Sequence, residues 1–460
     1  MVKSRRKWIG FYGDDFTGST DAMEALTMNG VKTILFLHPP DESMLENERF
    51  REFQAIGIAG ISRALTPREM ESELYPAFRS LKKANVEICH YKTCSTFDSA
   101  PEVGSIGKAI EIGLHVFQNQ RFSPLIVGVP TLKRYTVFGN HFATMEDITH
   151  RLDRHPIMSK HPMTPMDEAD LRKHLSRQTT TEIESMNVLE LSGSTIEIER
   201  ILDSKLQENH NPKVMLFDVL TQEMLTKIGK LLINETQNNP QFAIGSSGVE
   251  YALTAAWKES GQYGLSEPQW PSLSPTAPLF VVSGSCSLVT EKQINYSLEH
   301  NFFGMKVDSS ELINPETRAE TCLKIIREAT QQLEKGIDVV IYTALGPNDT
   351  SIESTKDHLV MTGGKSTDTS KLLGEQLGKI SKEVIKNTNI KRVLVAGGDT
   401  SGYVTKNLEI IAMEMIKPIT PGAPLCKTYS SNPIYDGLEI TLKGGQMGSA
   451  DFFVKVKSLT

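Results

Sequence analysis

Two adjacent carboxylates, Asp14 and Asp15, stand where an apolar run gives way to Thr17-Gly18-Ser19-Thr20. Paired acids can take a hydroxyl proton, bind sugar hydroxyls or hold a metal ion. The free N–H groups of a following helix start favour an anion. Together they suit a small molecule with an acid end and a hydroxyl-bearing end. A single N-cap aspartate with a solvated neighbour is the plainer reading, but two acids and a hydroxyl-rich turn exceed what a cap needs. Arg63, downstream in Gly60-Ile61-Ser62-Arg63, can be a solvated charge or can clamp a carboxylate bidentately. Lys92-Thr93-Cys94-Ser95-Thr96-Phe97-Asp98-Ser99 packs a cation, several hydroxyls and a carboxylate into one run. It reads equally as a binding loop or as a polar loop capping a helix through Ser99. Cys94 lacks a histidine partner motif and reads as a small, half-buried residue rather than a nucleophile. His155 and His161 lie in a proline-punctuated segment, 151–165, that cannot be a regular helix. No third histidine or cysteine at the usual spacing joins them, so structural or substrate-contacting roles fit better than zinc.

The second half carries a different chemistry. Three runs are rich in small residues: Ser283-Gly284-Ser285-Cys286-Ser287, Gly397-Gly398-Asp399-Thr400-Ser401-Gly402, and Lys443-Gly444-Gly445-Gln446-Met447-Gly448. Glycine lets backbone N–H groups approach phosphate oxygens without a Cβ in the way. None of the three matches G-x-x-x-x-G-K-[ST], and none matches G-x-G-x-x-G with a trailing ribose acid. Singly, each is explained by a tight strand–helix turn. Jointly, they indicate a phosphate-binding domain. Asp399 beside a polyphosphate implies an intervening divalent cation, or a carboxylate facing the ribose or base.

These residues need elements to position them. Apolar runs of strand length occur at 8–12, 31–37, 53–59, 86–91 and 125–129, then at 187–191, 214–218 and 241–244. Helical patterns fall between them: from Phe16, at 67–85, from Pro101 to about His115, at 166–177 behind Thr164, at 196–206 and at 222–234. Thr66, Pro67 and Glu69 form a capping box. Gly245-Ser-Ser-Gly248 opens a last helix through Lys258, as a plain turn or as an anion nest. The alternation predicts a doubly wound, mainly parallel α/β domain over 1–258, whose loops bind ligand at the carboxyl edge of the sheet. Residues 259–278, with four prolines and no periodicity, read as a linker. A second α/β, nucleotide-binding domain is expected over 279–460, with strands at 279–282, 304–307, 339–343, 392–396 and 438–442 and helices at 315–332 and 369–388.

Bulk properties narrow the class. The chain has 460 residues, a net charge of −7 and 39% hydrophobic content, which excludes nucleic-acid or membrane-surface binding by bulk charge. Five irregularly spaced cysteines argue against a disulfide framework. The basic start, MVKSRRKW, develops no signal-type core before Asp14. A reducing, cytoplasmic compartment follows, with no membrane partner.

Five motifs in order, Gly13 to Gly18, Tyr91 to Ser99, His161 to Pro165, Ser283 to Ser287 and Gly397 to Ser401, resemble the four-carbon acid sugar kinase family. The resemblance spans about residues 8–453. It implies an N-terminal acid-sugar domain, a C-terminal ATP-binding domain and phosphoryl transfer from ATP, with Mg2+, to a terminal hydroxyl. The Cys94 to Ser99 run looks like the 3-oxo-tetronate kinase branch rather than the D-threonate and D-erythronate branch. Ala100 to Val103 and Arg134 to Arg154 depart from that branch, which leaves a branched acid such as 3-oxo-isoapionate as an alternative substrate. Carried over by position, Asp14, Asp15, Thr17, Gly18, Arg63, Lys92, Thr93, Cys94, Ser95, Thr96 and His161 fall where the acid sugar binds. Asp15 or Asp14 is the expected base. Its carboxylate-bearing ligand is expected between Arg63 and the N–H groups of Thr17 to Ser19, with both aspartates turned to the hydroxyl end. Ser283, Ser285, Gly397, Gly398, Asp399, Thr400, Gly444 and Gly445 fall where ATP binds. The expected partners are a small acid sugar and ATP, with a homodimer as a possible assembly. The competing class is a non-catalytic sensor that signals by domain closure about the linker. Intact glycine loops and both aspartates count against it. A hydrolase using Cys94 or Ser285 lacks a nucleophile elbow.

Overall fold

The computed structural model describes residues 6–161, 163–208, 213–237, 239–261, 263–273 and 278–459. The first five residues of the basic start, Pro162 of the histidine–proline segment, and linker residues 262 and 274–277 lie outside the described residues. The chain divides into two compact units, Met1–Pro268 and Gln269–Thr460.

The first unit holds the strands β1 (Lys7–Gly13), β2 (Thr33–Phe36), β3 (Ala55–Ala59), β4 (Val86–Lys92), β5 (Ser123–Ile126), β6 (Arg134–Val137), β7 (Asn140–Met145), β8 (Ile148–Arg151), β9 (Ile183–Met186), β10 (Val214–Phe217) and β11 (Gln241–Gly245). Eight of them pair in the order β2-β3-β1-β4-β11-β5-β10-β9. Every pairing in that series is parallel. All seven residues of β1 are buried, as are all of β2 and β10. That is why these strands read as unbroken apolar runs: helices cover both faces. The chain builds β2 and β3 on one side of β1, then crosses to lay β4 on the other. The crossover makes β1 a switch point, where loops on either side diverge and leave a crevice.

Caps fix the elements that face this crevice. The helix Phe16–Met28 is capped by Asp15, which accepts from the Gly18 N–H. The helix Pro67–Lys83 carries the full Thr66/Glu69 capping box. Other expectations need correction. The helix placed from Pro101 begins only at Ile106, with Ser105 as its cap, so Ser99 caps nothing and is used elsewhere. The helix placed at 166–177 is the shorter Leu171–Ser176, capped by Asp170 rather than Thr164. The strand placed at 187–191 lies earlier, at β9, and Glu190–Ser192 is a single 3-10 turn. The stretch 134–151 forms a separate antiparallel sheet, β6-β7-β8. Its Phe138-Gly139 turn is tied down by the buried Asp218, which accepts from both N–H groups at 2.5 and 2.9 Å.

The second unit holds β12 (Phe280–Ser283), β13 (Phe303–Lys306), β14 (Val339–Tyr342), β15 (Arg392–Ala396), β16 (Ile410–Lys417), β17 (Leu425–Ser430) and β18 (Glu439–Lys443). Their order is β13-β14-β12-β15-β18-β17-β16. The first five run parallel, while β17 is antiparallel to both of its neighbours. β16 and β17 were not foreseen, nor was the helix Thr350–Met361. Because β12, β15 and β18 are adjacent and parallel, their three glycine-rich loops emerge side by side at one edge.

Candidate functional site

At the crevice of the first unit the ends of three strands are joined through their backbones. The Asp14 N–H donates to the Lys92 carbonyl at 2.9 Å, and the Arg63 N–H donates to the Asp14 carbonyl at 2.9 Å. Parallel pairing of β1 with β3 and β4 therefore carries Asp14, Arg63 and Lys92 to one place, although they are far apart in sequence.

The side chains converge as well. Arg63 donates through Nε to Asp14 Oδ2 at 3.0 Å and through Nη2 to Asp14 Oδ1 at 2.7 Å. Its Nη1 reaches Asp15 Oδ2 at 2.6 Å. Asp15 Oδ1 accepts from the Gly18 N–H at 2.5 Å. Lys92 Nζ sits 3.0 Å from Asp21 Oδ2 and donates to the Thr93 carbonyl at 3.1 Å. Gly18 lies among these charges: a Cβ there would meet Asp15 Oδ1 at 2.9 Å, Asp14 Oδ1 at 3.4 Å and Lys92 Nζ at 3.7 Å. One sequence expectation fails here. The aspartates do not turn away from Arg63; they take its fork, and Asp15 takes the Gly18 N–H expected for a substrate carboxylate. A guanidinium beside two carboxylates, one of them only 2% exposed, finds its best partners within the protein.

Burial distinguishes the two acids. The Asp14 side chain is 2% exposed and Asp15 31%. Burial and the neighbouring Asp14 charge push the Asp15 carboxyl above its usual range, with Arg63 pulling the other way. Burial works against the charges of Arg63 and Lys92, but nearby carboxylates outweigh it and both are held firmly protonated. The Cys94 thiol is pushed up by burial and by Asp98, so it is no nucleophilic thiolate.

The 93–99 loop is tightly held. The Thr93 N–H donates to the Gly245 carbonyl at 2.6 Å, and Thr96 Oγ1 to Asp98 Oδ1 at 2.7 Å. Cys94 Sγ and Thr96 Oγ1 are 3.0 Å apart. Phe97 is buried with φ 58°, a left-handed conformation that a bulky residue keeps only when its surroundings impose it. Two histidines that sequence reasoning missed supply part of that restraint. His141, on β7, contacts the Ser95 carbonyl through Nε2 at 2.9 Å and Thr136 Oγ1 through Nδ1 at 3.0 Å. His174 contacts Ser99 Oγ through Nε2 at 2.9 Å. Burial lowers both to about 4, so both are neutral at pH 7. The signal for His141 was present: Phe138-Gly139-Asn140 between alternating residues is a hairpin turn. Arg134 of the same hairpin, whose charge adds to burial in keeping His141 neutral, was also missed.

His161 is not joined to this cluster by any hydrogen bond among the described residues; its Nδ1 accepts from the Thr164 N–H at 3.1 Å. Among the described residues no group of three His, Cys, Asp or Glu is arranged to hold a metal ion. None of the five cysteines is joined in a disulfide among the described residues.

In the second unit the three glycine loops meet. A Cβ on Gly284 would strike Thr400 Oγ1 at 2.1 Å, one on Gly397 would meet the same atom at 3.0 Å, and one on Gly445 would come within 2.8 Å of Ser285 Oγ. Gly397 has φ 124°, which favours glycine. The helix Gly398–Asn407 starts there with no side-chain cap. Its first-turn N–H groups, with Asp399 exposed beside them and Thr400 buried, have the chemistry that favours an anion. Ser283 Oγ is buried and has no hydrogen-bond partner among the described residues.

The first unit thus gathers an acid–guanidinium–amine cluster at the switch point of its strands, and the second brings three glycine loops together. Residues 9–253 match the family described as the sugar-binding N-terminal domain, and residues 280–453 match the nucleotide-binding C-terminal domain. The chain belongs to the four-carbon acid sugar kinase family and is a phosphotransferase acting on a sugar acid. A 3-oxo-isoapionate kinase from Paraburkholderia graminis is 41% identical over 98% of this chain and 94% of that protein. 3-Oxo-tetronate kinases from Pseudomonas savastanoi pv. phaseolicola and Pseudomonas fluorescens are 25% and 27% identical, each over 99% of this chain and 97% of theirs. Solved structures share the fold: one from Salmonella typhimurium LT2 (24% identical, 98% of both chains, TM-score 0.79) and one from Haemophilus influenzae (21% identical, 97% and 99% covered, TM-score 0.75). No helix among the described residues is long and apolar enough to cross a membrane.

Proposed function

We propose that this enzyme is a 3-oxo-isoapionate kinase that transfers a phosphoryl group from ATP to a terminal hydroxyl of that branched oxo-acid. The observation that carries the reading is the end-to-end 41% identity to a kinase of that acid, against 25–27% for 3-oxo-tetronate kinases. The four-carbon 3-oxo-tetronate, the first expectation from the loop motif, becomes the alternative.

The site chemistry supports such a reaction. Phosphoryl transfer asks the protein for alignment and charge neutralisation more than for covalent chemistry. Asp15, partly exposed and with its proton affinity raised, is the proposed base for the acceptor hydroxyl. Asp14, buried, keeps Arg63 in register. Arg63 and Lys92 supply the positive field for the acid, and Thr17, Gly18, Thr93 to Thr96 and His161 complete the proposed substrate contacts. On the second unit, Ser283, Ser285, Gly397, Gly398, Thr400, Gly444 and Gly445 are the proposed nucleotide contacts. Asp399 suits Mg2+, which takes one or two carboxylates together with phosphate and water oxygens. Five cysteines outside any disulfide are in keeping with a reducing, cytoplasmic compartment.

The test is a coupled nucleotide-consumption assay with 3-oxo-isoapionate, 3-oxo-tetronate, D-threonate and D-erythronate, followed by mass spectrometry of the product. The branched acid is expected to give the highest kcat/KM. A higher value for a tetronate overturns the substrate assignment, and no turnover with any of the four overturns the reading as a whole.

A further inference from the structure

Among the described residues of the second unit two cations are buried, Arg392 and Lys443, and of these Arg392 alone has a carboxylate partner. Arg392 is fully buried and pairs with Glu439 at 2.7 Å, while donating to the Val456 carbonyl. The exposed Lys306 and the partly buried Lys457 also have carboxylate partners, Asp349 and Asp338. Lys443, the last residue of β18, is 1% exposed, and no carboxylate among the described residues forms an ion pair with it. Its Nζ donates only to neutral oxygens, Thr290 Oγ1 at 3.1 Å and the Gly445 carbonyl at 3.4 Å.

Gly445 lies in the third glycine loop, and Thr290 in the first turn of the helix Leu288–Glu299 that follows the first. Thr290 Oγ1 donates to Ser285 Oγ at 3.0 Å, or alternatively to the Gly445 carbonyl at 3.0 Å. Ser287 Oγ donates to the same carbonyl at 2.5 Å. The chain Lys443–Thr290–Ser285 thus runs from a buried ammonium to a hydroxyl in the first glycine loop. When Thr290 gives its proton to Ser285 Oγ, the Ser285 proton has only a long contact to Ser287 Oγ, at 3.4 Å, among the described residues, which a phosphate oxygen can replace.

We propose that Lys443 is a positioning residue for the nucleotide's phosphates, supplying the positive charge behind the three loops and, through Thr290, orienting the Ser285 hydroxyl toward a phosphate oxygen. This rests on the reading of the second unit as the nucleotide site. The physical argument is one of charge. An ammonium taken out of water without a counter-ion is disfavoured, and burial alone lowers Lys443 to about 8. A phosphate arriving at the loops is the missing counter-ion, and low local dielectric strengthens its attraction. A purely structural lysine would be better replaced here by an apolar side chain of similar length.

The experiment uses the full chain and calorimetric titration with three probes: ADP, inorganic triphosphate and adenosine. Lys443→Met should weaken ADP and triphosphate about tenfold or more, the loss of one charged hydrogen-bond partner, and leave adenosine unchanged. Lys443→Arg should recover part of the loss. Without ligand, Lys443→Met should melt no lower than the wild type. Unchanged ADP affinity, or an equal loss for ADP and adenosine, overturns the proposal. If Lys443→Met does not fold, Thr290→Val carries the test: ADP weakened with adenosine unchanged supports the proposal, and unchanged ADP overturns it. Failure of the wild type to bind either ADP or adenosine is a separate outcome; it removes the nucleotide reading, and the proposal with it.

Discussion

Replacing Arg63 by alanine should damage the fold as well as the substrate site, because its fork is engaged by the protein itself. Three hydrogen bonds are lost: two to Asp14, at 3.0 and 2.7 Å, and one to Asp15 at 2.6 Å. The Asp14 side chain is 2% exposed, so it is left as a buried charge without its partner. Breaking a buried pair in this way costs about 3–5 kcal/mol. The Asp15 arm, between side chains 25% and 31% exposed, is screened by water and adds no more than about 1 kcal/mol. Urea unfolding at pH 7, followed through the fluorescence of Trp8 and Trp257 in the first unit, should show the loss. The double variant Arg63→Ala/Asp14→Asn should recover much of it, since no buried charge is then unpaired. Arg63→Lys should recover little, because one ammonium cannot reproduce a planar fork that grips two carboxylates. In kinetics, Arg63→Ala should raise KM for the acid about tenfold or more with KM for ATP unmoved. The reasoning is refuted if Arg63→Ala unfolds at the wild-type urea concentration. A double variant no more stable than the single one would show that packing, not charge, is what Arg63 supplies.

Asp15→Asn should keep the fold, since asparagine can still accept from the Gly18 N–H as a helix cap, yet kcat should fall about 100-fold or more, with ADP affinity unchanged by calorimetry; near-normal turnover removes the base assignment. The two loop-clamping histidines predict acid sensitivity. Each is lowered from 6.5 to about 4 on folding, so its contribution is present above pH 6.5 and is lost as pH falls through about 4. Full loss is on the order of 3 kcal/mol per histidine. Urea midpoints of the first unit should therefore fall between pH 7 and 4.5, and less steeply in His174→Gln; parallel pH profiles for wild type and variant would contradict the neutral-histidine clamp.

Local chemistry was legible in the sequence. The Thr66/Glu69 capping box, the strand Arg392–Ala396 and the apolar runs of the first unit follow from nearest-neighbour preferences and from burial on both faces, which a linear pattern records directly. The acidic pair and the three glycine loops could be read because glycine and adjacent carboxylates are local signals. What the chain order could not decide was the partner of each charge. Arg63 read as a clamp for a ligand, yet β3 lies beside β1, so the nearest carboxylates are Asp14 and Asp15. The hairpin that carries His141 was legible, but the loop that His141 and His174 hold was not, because their targets, Ser95 and Ser99, are 46 and 75 residues away. Lys443 read only as the first residue of a glycine-rich run; the packing of β18 against β15, and of its loop on Thr290, makes it a buried ammonium among neutral oxygens. Strand order sets these juxtapositions. It depends on the sum of many long-range contacts rather than on any local run of residues, so it was the tertiary structure that decided which side chains meet.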